Sequence, residues 1–181
     1  MKTCFPGALL LAFALMGCAH RAQVTTPKLT ELNAKIAAKP EDAQAYANRG
    51  YANALLGQKQ AARADLRRAA ELNSGAPMLN QLGWAYFNLG DAKEALSIWQ
   101  QAAELSKHNA RYDHYSLALG YWANGEIARA LEHYDLAVKR DERFGDSKGL
   151  AERTAEWTDT EKRAIQALYS RWSKAYVSST P

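Results

Sequence analysis

Apolar residues recur along this chain at intervals of three and four, which is the spacing of one face of an α-helix. Leu29, Leu32 and Ile36 follow this spacing in one short segment. A second segment carries a continuous apolar stripe, made of Ile165, Leu168, Tyr169, Trp172 and Tyr176. The alternation of apolar and polar residues that is typical of strands is missing from the sequence. The pattern predicts an all-α fold.

A longer period of about 34 residues lies over the helical one. Gly57, Gly90 and Gly125 recur at spacings of 33 and 35, and three further columns keep the same two spacings. These columns are Ala62, Ala95 and Ala130; Leu66, Trp99 and Tyr134; and Ala69, Ala102 and Ala137. Four columns in one register predict a repeat protein.

Each repeat predicts a pair of antiparallel helices. A small residue such as Gly83 on the first helix, facing Ala95 on the second, lets the two axes approach closely. The central glycine, such as Gly90, ends the first helix in the left-handed conformation that glycine adopts at little cost. Since one hairpin cannot bury its own apolar face, we expect the hairpins to stack.

These columns resemble the tetratricopeptide repeat. The second repeat matches that motif through Leu82, Gly83, Tyr86, Gly90, Ala95, Trp99 and Ala102. The resemblance implies a right-handed superhelix of antiparallel helical hairpins, with three clear repeats at 43–75, 76–110 and 111–144. Many family members carry an Arg-Gly pair and an acidic residue where this chain has Arg49 and Asp65, which implies that these two side chains pair.

The segments on either side of the repeats are predicted caps. Residues 28–42 form an N-terminal capping helix, and residues 145–181 form a degenerate fourth hairpin. Within this hairpin, Thr158 and Glu161 have the spacing of a capping box. The apolar stripe from Ile165 to Tyr176 has two interpretations: it lies on the last repeat as a cap, or it docks another protein.

Residues 1–17 form a predicted signal peptide. Lys2 precedes an apolar run, Ala8 to Met16, that is too short to span a bilayer. The run ends in Leu-Met-Gly-Cys, which resembles the bacterial lipobox and implies cleavage before Cys18 and acylation of that residue. The alternative is an ordinary signal peptide that is cut after Ala19.

Cysteine usage agrees with a lipid anchor. Cys4 lies in the leader, so Cys18 is the only cysteine that cleavage would leave. Residues 18–27 then hold the lipidated cysteine and a tether without periodicity. The nine residues after Cys18 reach about 30 Å when fully extended, which would keep the repeats close to the membrane.

Charge and candidate chemistry narrow the functional class. The chain has 23 basic and 19 acidic residues, and its net charge of +4 is too mild and too evenly spread for a nucleic-acid partner. Asp113, His114 and Ser116 have the residue types of a catalytic triad, but neighbours on a helix point about 100° apart. His114 and His133 face each other in the predicted hairpin, without the spacing of a zinc helix. We expect no catalytic site, metal, cofactor or small-molecule substrate.

The resemblance also implies a binding surface, because ligand peptides in this family lie along the first helices of the hairpins. The places concerned hold many aromatic side chains and two asparagines: Tyr51, Asn80, Trp84, Phe87, Asn88, Tyr112, Tyr115 and Trp122. Aromatic side chains dominate binding hot spots. Two interpretations stay open, a groove that binds a partner and packing between repeats.

Together these features predict a membrane-anchored, non-enzymatic scaffold that binds other proteins of the bacterial cell envelope. Small repeat lipoproteins of this build serve as adaptors for cell-wall enzymes and envelope proteases. The alternative is a pilotin-like assembly factor for a secretin or pilus system, and the remote alternative is an enzyme or cell-wall-binding module. Because Ala19, not aspartate, follows the cysteine, we expect the outer membrane, facing the periplasm, in a cell with two membranes.

Overall fold

A computed structural model describes residues 28–109 and 112–176, and every regular element in these ranges is helical. Consecutive helices pair as hairpins, Ala43–Leu55 with Lys59–Leu72, Ala76–Leu89 with Ala92–Leu105, and Asp113–Ala123 with Ile127–Arg140. The elements are α1 (28–38), α2 (Ala43–Leu55), α3 (Lys59–Leu72), α4 (Ala76–Leu89), α5 (Ala92–Leu105), α6 (Asp113–Ala123), α7 (Ile127–Arg140), a 3₁₀ helix (Glu142–Gly145), α8 (Ser147–Arg153) and α9 (Asp159–Tyr176). The predicted all-α fold of helical hairpins is confirmed.

The chain divides into two compact units after Leu72, and the first unit contains α1, α2 and α3. Its core pairs a small residue with a large one. Leu66 of α3 is fully buried, and a Cβ atom on Gly50 of α2 would lie 2.7 Å from Leu66 Cδ2. Leu32 of α1 is also buried, so α1 covers apolar surface as its periodicity predicts.

A charged network joins the three helices of the first unit. The Nη2 and Nε atoms of Arg49 donate to the two carboxylate oxygens of Asp65 at 2.6 and 2.9 Å. Arg49 Nη1 donates to Asn33 Oδ1 at 2.8 Å, and Asn53 Nδ2 donates to Asp65 Oδ2 at 3.2 Å. The hydrogen-bonded carboxylate raises the pKa of Arg49. The predicted pairing of Arg49 with Asp65 is confirmed.

The second unit begins at Asn73 and is built around Trp99 of α5. The ring of Trp99 is 1% exposed and lies against two glycines. A Cβ atom on Gly83 of α4 would be 2.7 Å from Trp99 Cε2, and one on Gly120 of α6 would be 3.1 Å from Trp99 Cε3. Helices α4 and α6 therefore both approach α5 closely at this ring. Ala95 is fully buried, which agrees with its predicted place at the hairpin crossing.

The glycine column ends the first helix of each hairpin as predicted. Gly90 follows α4 with a φ of 82°, and its backbone N–H donates to carbonyl oxygens of the last turn. Gly57 and Gly125 have φ values of 76° and 78°. A side chain at these left-handed positions would introduce strain, so the repeated glycine reflects backbone conformation.

Helix α9 closes the second unit. It buries Ile165, Leu168 and Trp172, and the Trp172 ring centroid lies 5.6 Å from that of Tyr134 on α7. Tyr176, at the end of the same stripe, is 44% exposed. Three of the five stripe residues are thus buried within the unit, which supports the interpretation of this stripe as a cap.

Two local hydrogen bonds define the start of α9. The backbone N–H of Thr158 donates to Glu161 Oε2 at 2.7 Å, and the N–H of Glu161 donates to Thr158 Oγ1 at 3.2 Å. The predicted capping box is confirmed. The sequence does not predict the 3₁₀ helix before α8. There the buried Tyr134 hydroxyl donates to the Phe144 carbonyl at 2.8 Å, and the Asp141 side chain accepts the backbone N–H of Arg143.

Within residues 28–109 and 112–176, no helix is both long and apolar enough to cross a membrane. The predicted signal peptide, Cys18 and the predicted tether lie outside the described residues.

Candidate functional site

The residues predicted to form the groove fall in both units. Tyr51 lies on α2 of the first unit and is half-buried. The others belong to the second unit: Asn80, Trp84, Phe87 and Asn88 on α4, Tyr112 immediately before α6, and Tyr115 and Trp122 on α6. Since α4 and α6 are in contact, the second unit brings most of the predicted residues to one region. This region is called here the α4–α6 face, and it consists of Trp84, Phe87, Asn88, Tyr115 and Trp122.

Six rings of the second unit form an aromatic cluster, which consists of Trp84, Phe87, Trp99, Tyr115, Phe144 and Trp157. Trp84 is central, with ring centroids at 5.0 Å from Trp157, 5.1 Å from Trp99, and 6.1 Å from both Phe87 and Tyr115. Tyr115 extends the cluster to Phe144 at 5.2 Å and to Trp157 at 5.7 Å. Aromatic pairs at such distances add stability beyond the area they bury.

The connection between α8 and α9 lies across the α4–α6 face. Trp157 in this connection contacts Trp84 and Tyr115, as given above. The Thr158 hydroxyl donates to Asn88 Oδ1 at 3.0 Å, and Asn88 Nδ2 donates to Glu161 Oε1 at 2.6 Å. Both ends of the Asn88 amide therefore bind residues more than sixty positions later in the chain. The face that the sequence assigns to a partner holds a segment of the chain itself, residues 157–161.

The remaining predicted residues have separate surroundings. Asn80 supports packing, because its Oδ1 accepts the Ser116 hydroxyl at 3.0 Å and its carbonyl accepts Trp99 Nε1 at 3.2 Å. Tyr112 is half-buried, and burial raises the pKa of its phenol. Trp122 lies two turns after Tyr115 on α6 and is half-buried outside the aromatic cluster. Because seven residues make about two helical turns, Trp122 lies on the same side of α6 as Tyr115 and extends the α4–α6 face.

Of the two interpretations left open for the groove aromatics, packing applies to several of them. Trp84 contacts Trp99, and the Phe87 ring centroid lies 5.8 Å from the same indole. Phe87 and Tyr115 are 7% and 9% exposed. The reason is that Gly83 lets α4 approach the indole of Trp99 closely, so the next residue, Trp84, also reaches that ring. The cluster therefore contributes to the core of the unit.

A paired arginine borders the aromatic cluster. The guanidinium carbon of Arg153 lies 5.6 Å from the Tyr115 ring centroid and 5.7 Å from that of Phe144. Arg153 Nε is 3.5 Å from Asp141 Oδ2, and Arg143 Nη2 donates to the same oxygen at 2.6 Å. The hydrogen bonds from Arg143, with the nearby charge of Arg153, hold the pKa of Asp141 below its ordinary value. The positive charge of Arg153 is thus partly compensated by the Asp141 carboxylate, which Arg143 also binds.

The predicted facing pair of histidines lies elsewhere in the second unit. The Nδ1 atoms of His114 on α6 and His133 on α7 are 3.5 Å apart, and burial lowers the pKa of both rings. The His108 ring centroid lies 6.4 Å from that of His114. Among the described residues, no three His, Cys, Asp or Glu side chains are grouped so that they could hold a metal ion.

Two residues at the α4–α6 face escape prediction from the sequence, Trp157 and Arg153. Trp157 belongs to none of the repeat columns and lies in a connection, where helical periodicity gives no orientation. The available signal is the capping box of Thr158 and Glu161, which fixes the start of α9 and so the direction of the residue before it.

Two family models described as tetratricopeptide repeat match the chain, one over residues 43–75 and the other over residues 76–109. These ranges contain the α2–α3 and α4–α5 hairpins. Residues 43–109 of the chain therefore consist of tetratricopeptide repeats. The resemblance seen in the sequence is confirmed, and tetratricopeptide repeats generally act as protein–protein interaction scaffolds without enzymatic activity.

Solved structures of MamA share the tetratricopeptide fold. One MamA crystal structure is 23% identical, with 74% of this chain and 67% of that chain covered and a TM-score of 0.53. A second is 19% identical, with coverages of 81% and 88% and a TM-score of 0.55. A MamA RS-1 ArsTM double mutant is 16% identical, with coverages of 97% and 99% and a TM-score of 0.57. At these identities the likeness concerns the fold alone. No curated protein matches the sequence of the chain.

Proposed function

We propose that this protein is a lipid-anchored scaffold of the bacterial cell envelope, and that it binds a protein partner through the α4–α6 face. The observation that carries the proposal is the convergence of Trp84, Tyr115 and Asn88 on that face, where they already hold a polypeptide segment. Residues 157–161 contact this face through ring packing and two side-chain hydrogen bonds. The face therefore has the chemistry to recognise a peptide.

The energetics of the α4–α6 face suit a binding hot spot. Tryptophan and tyrosine anchors that lose water on binding contribute about 2 kcal/mol or more each, which corresponds to roughly thirtyfold in affinity. Trp84 is held on one side by Trp99, so little side-chain entropy is lost when a partner takes the place of Trp157 on the other side. Preorganised aromatic anchors favour specific binding of one partner over nonspecific hydrophobic association.

The anchor is the second part of the proposal. The sequence that ends at Cys18 resembles a lipobox, and two or more acyl chains would hold the scaffold stably at a membrane. Cys18→Ala is expected to abolish labelling by a fatty-acid analogue and to release the protein from the membrane fraction. Equal labelling of the native chain and the variant would contradict the anchor and leave the binding face untouched.

Capture of a partner by crosslinking in envelope extracts tests the binding role. We expect Trp122→Ala to reduce the captured partner at least about tenfold, with helix content and melting temperature nearly unchanged. Asn88→Ala should reduce capture as well, with a lower melting temperature, because the buried Glu161 carboxylate loses a hydrogen-bond donor. Gln101→Ala, on the exposed side of α5, is the matched control and should capture as the native chain does. A pilotin-like role would use the same anchor and face, and it is distinguished by a secretin subunit as the captured partner.

A further inference from the structure

The contacts of residues 157–161 define what kind of ligand the α4–α6 face accepts. The Trp157 indole packs between Trp84 and Tyr115, with centroid distances of 5.0 and 5.7 Å. The Thr158 hydroxyl and the Glu161 carboxylate then occupy the two ends of the Asn88 amide. Indole, hydroxyl and carboxylate thus occur at fixed positions within five consecutive residues.

The flanking helices have further contacts of their own, although Glu161 lies in the first turn of α9 and is buried. Helix α9 is secured by buried Ile165, Leu168 and Trp172, and Trp172 Nε1 donates to Asp135 Oδ1 at 3.3 Å. Helix α8 is secured at its other end, where Asp146 accepts the backbone N–H groups of Lys148 and Gly149. The residues between Arg153 and Asp159 belong to neither helix, and Trp157 is half-buried.

We propose that the α4–α6 face recognises, in a partner protein, the start of a helix with the sequence Trp-(Thr or Ser)-x-x-Glu, and that residues 157–161 block this face until the partner displaces them. The proposal rests on the proposed function and adds to it the chemistry of the partner and an internal competitor. The occupant is a segment of another protein that repeats the chemistry of residues 157–161.

Each position of this motif has a physical role. The indole is large enough to contact Trp84 and Tyr115 together. The hydroxyl donates to Asn88 Oδ1, and valine at that position would leave this oxygen without its donor. The carboxylate accepts from Asn88 Nδ2 and also from the backbone N–H of the motif's own threonine, so it preorganises the helix start before binding.

The tethered segment sets how strongly the face is blocked. A segment joined by a short connection acts at an effective concentration on the order of millimolar. A free copy of the same segment with a dissociation constant of about 10–100 μM for the open face is then weakened by roughly ten- to a hundredfold. Blocking therefore predicts that binding in trans becomes measurable when Trp157 is removed.

The test uses the full chain in mild detergent and a fluorescein-labelled peptide of residues 154–166. Fluorescence anisotropy should show at least about tenfold tighter binding to Trp157→Ala than to the native chain. The same peptide with its tryptophan replaced by alanine should not bind, and adding Asn88→Ala to Trp157→Ala should abolish binding. Tyr176→Ala, which changes an exposed ring at the far end of α9, is the control and should behave as the native chain.

A second variant covers the case in which Trp157→Ala does not fold. Glu161→Gln keeps every ring of the aromatic cluster and weakens the hydrogen bond with Asn88, so it should also increase peptide binding, by a smaller factor. If either variant folds and binds no peptide, the segment is only a cap and the proposal is overturned. If both unfold, residues 157–161 are part of the core, and the proposal is overturned in the same way.

Two further outcomes distinguish this proposal from the scaffold role alone and from self-association of the chain. If the peptide does not bind but partner capture still requires Asn88 and Trp122, the scaffold role stands and the motif is wrong. If Trp157→Ala forms concentration-dependent dimers that the free peptide does not dissolve, a second copy occupies the face and the partner assignment is overturned.

Discussion

Trp99 determines how closely three helices of the second unit approach one another. Its indole is covered by Gly83 on α4 and by Gly120 on α6, and its Nε1 donates to the Asn80 carbonyl. A side chain at either glycine would enter the space that the ring occupies. The pairing of a glycine with a large ring also explains why Trp84, next to Gly83, joins the core.

Gly83→Ala is expected to destabilise the protein by about 1–3 kcal/mol, because the added methyl group overlaps the ring of Trp99. Helix propensity alone would predict a gain of up to about 1 kcal/mol, so the sign of the effect is informative. Urea denaturation followed by circular dichroism measures it, with Ser97→Ala on the exposed side of α5 as control. Stabilisation by Gly83→Ala would show that the ring moves away freely.

Arg49 and Asp65 form the other residue-level contact with a measurable consequence. Their two hydrogen bonds at 2.6 and 2.9 Å are bidentate, and the Asp65 side chain is 8% exposed. A double-mutant cycle of Arg49→Ala and Asp65→Ala should therefore give a coupling free energy of about 1–3 kcal/mol. A coupling near zero would mean that the pair is replaced by water at no loss.

Helices and hairpins are the elements that the sequence predicts best. Every hairpin needs the same small and large residues where its two helices pack. The columns that contain Gly83, Gly90, Ala95 and Trp99 therefore recur, and one sequence shows the same pattern several times. The connection at Trp157 is different, because its contacts reach back to Trp84 and Asn88 and occur once. Helical periodicity does not reveal such a contact, and the sequence therefore does not predict that residues 157–161 lie on the α4–α6 face.

We expect the free energy of unfolding to depend on pH, because the α6–α7 hairpin partly buries His114 and His133. Burial holds the pKa values of His114 and His133 below the ordinary value of about 6.5. The unfolded chain therefore takes up more protons than the folded one as the pH falls. The stability present above about pH 6.5 is lost as the pH falls through the folded pKa values.

His114→Gln is expected to reduce this loss, because one of the two facing rings no longer takes up a proton. Urea denaturation at several pH values between about 7 and 5 measures the slope of unfolding free energy for the native chain and the variant. Ser97→Ala should keep the native slope. Identical slopes for His114→Gln and the native chain would show that the pair is already solvated in the folded state.

The whole molecule, as we interpret it, combines a predicted anchor, two compact helical units and the α4–α6 face, which we propose binds a partner. The α4–α6 face lies within the second unit, where the tetratricopeptide hairpin α4–α5 positions Trp84 and Asn88. The anchor would limit the search for partners to proteins near the membrane surface. The scaffold role thus depends most on whether a partner reaches the α4–α6 face.

Site-specific photo-crosslinking in living cells tests this claim most directly. A photoreactive phenylalanine derivative replaces Trp122, which lies on α6 outside the aromatic cluster, and in a second strain it replaces Gln101 on the exposed side of α5. We predict a discrete crosslinked protein from position 122 and none from position 101, with Asn88→Ala reducing the crosslink at least about tenfold. The same product from both positions, or a product from position 101 alone, would contradict binding at the α4–α6 face.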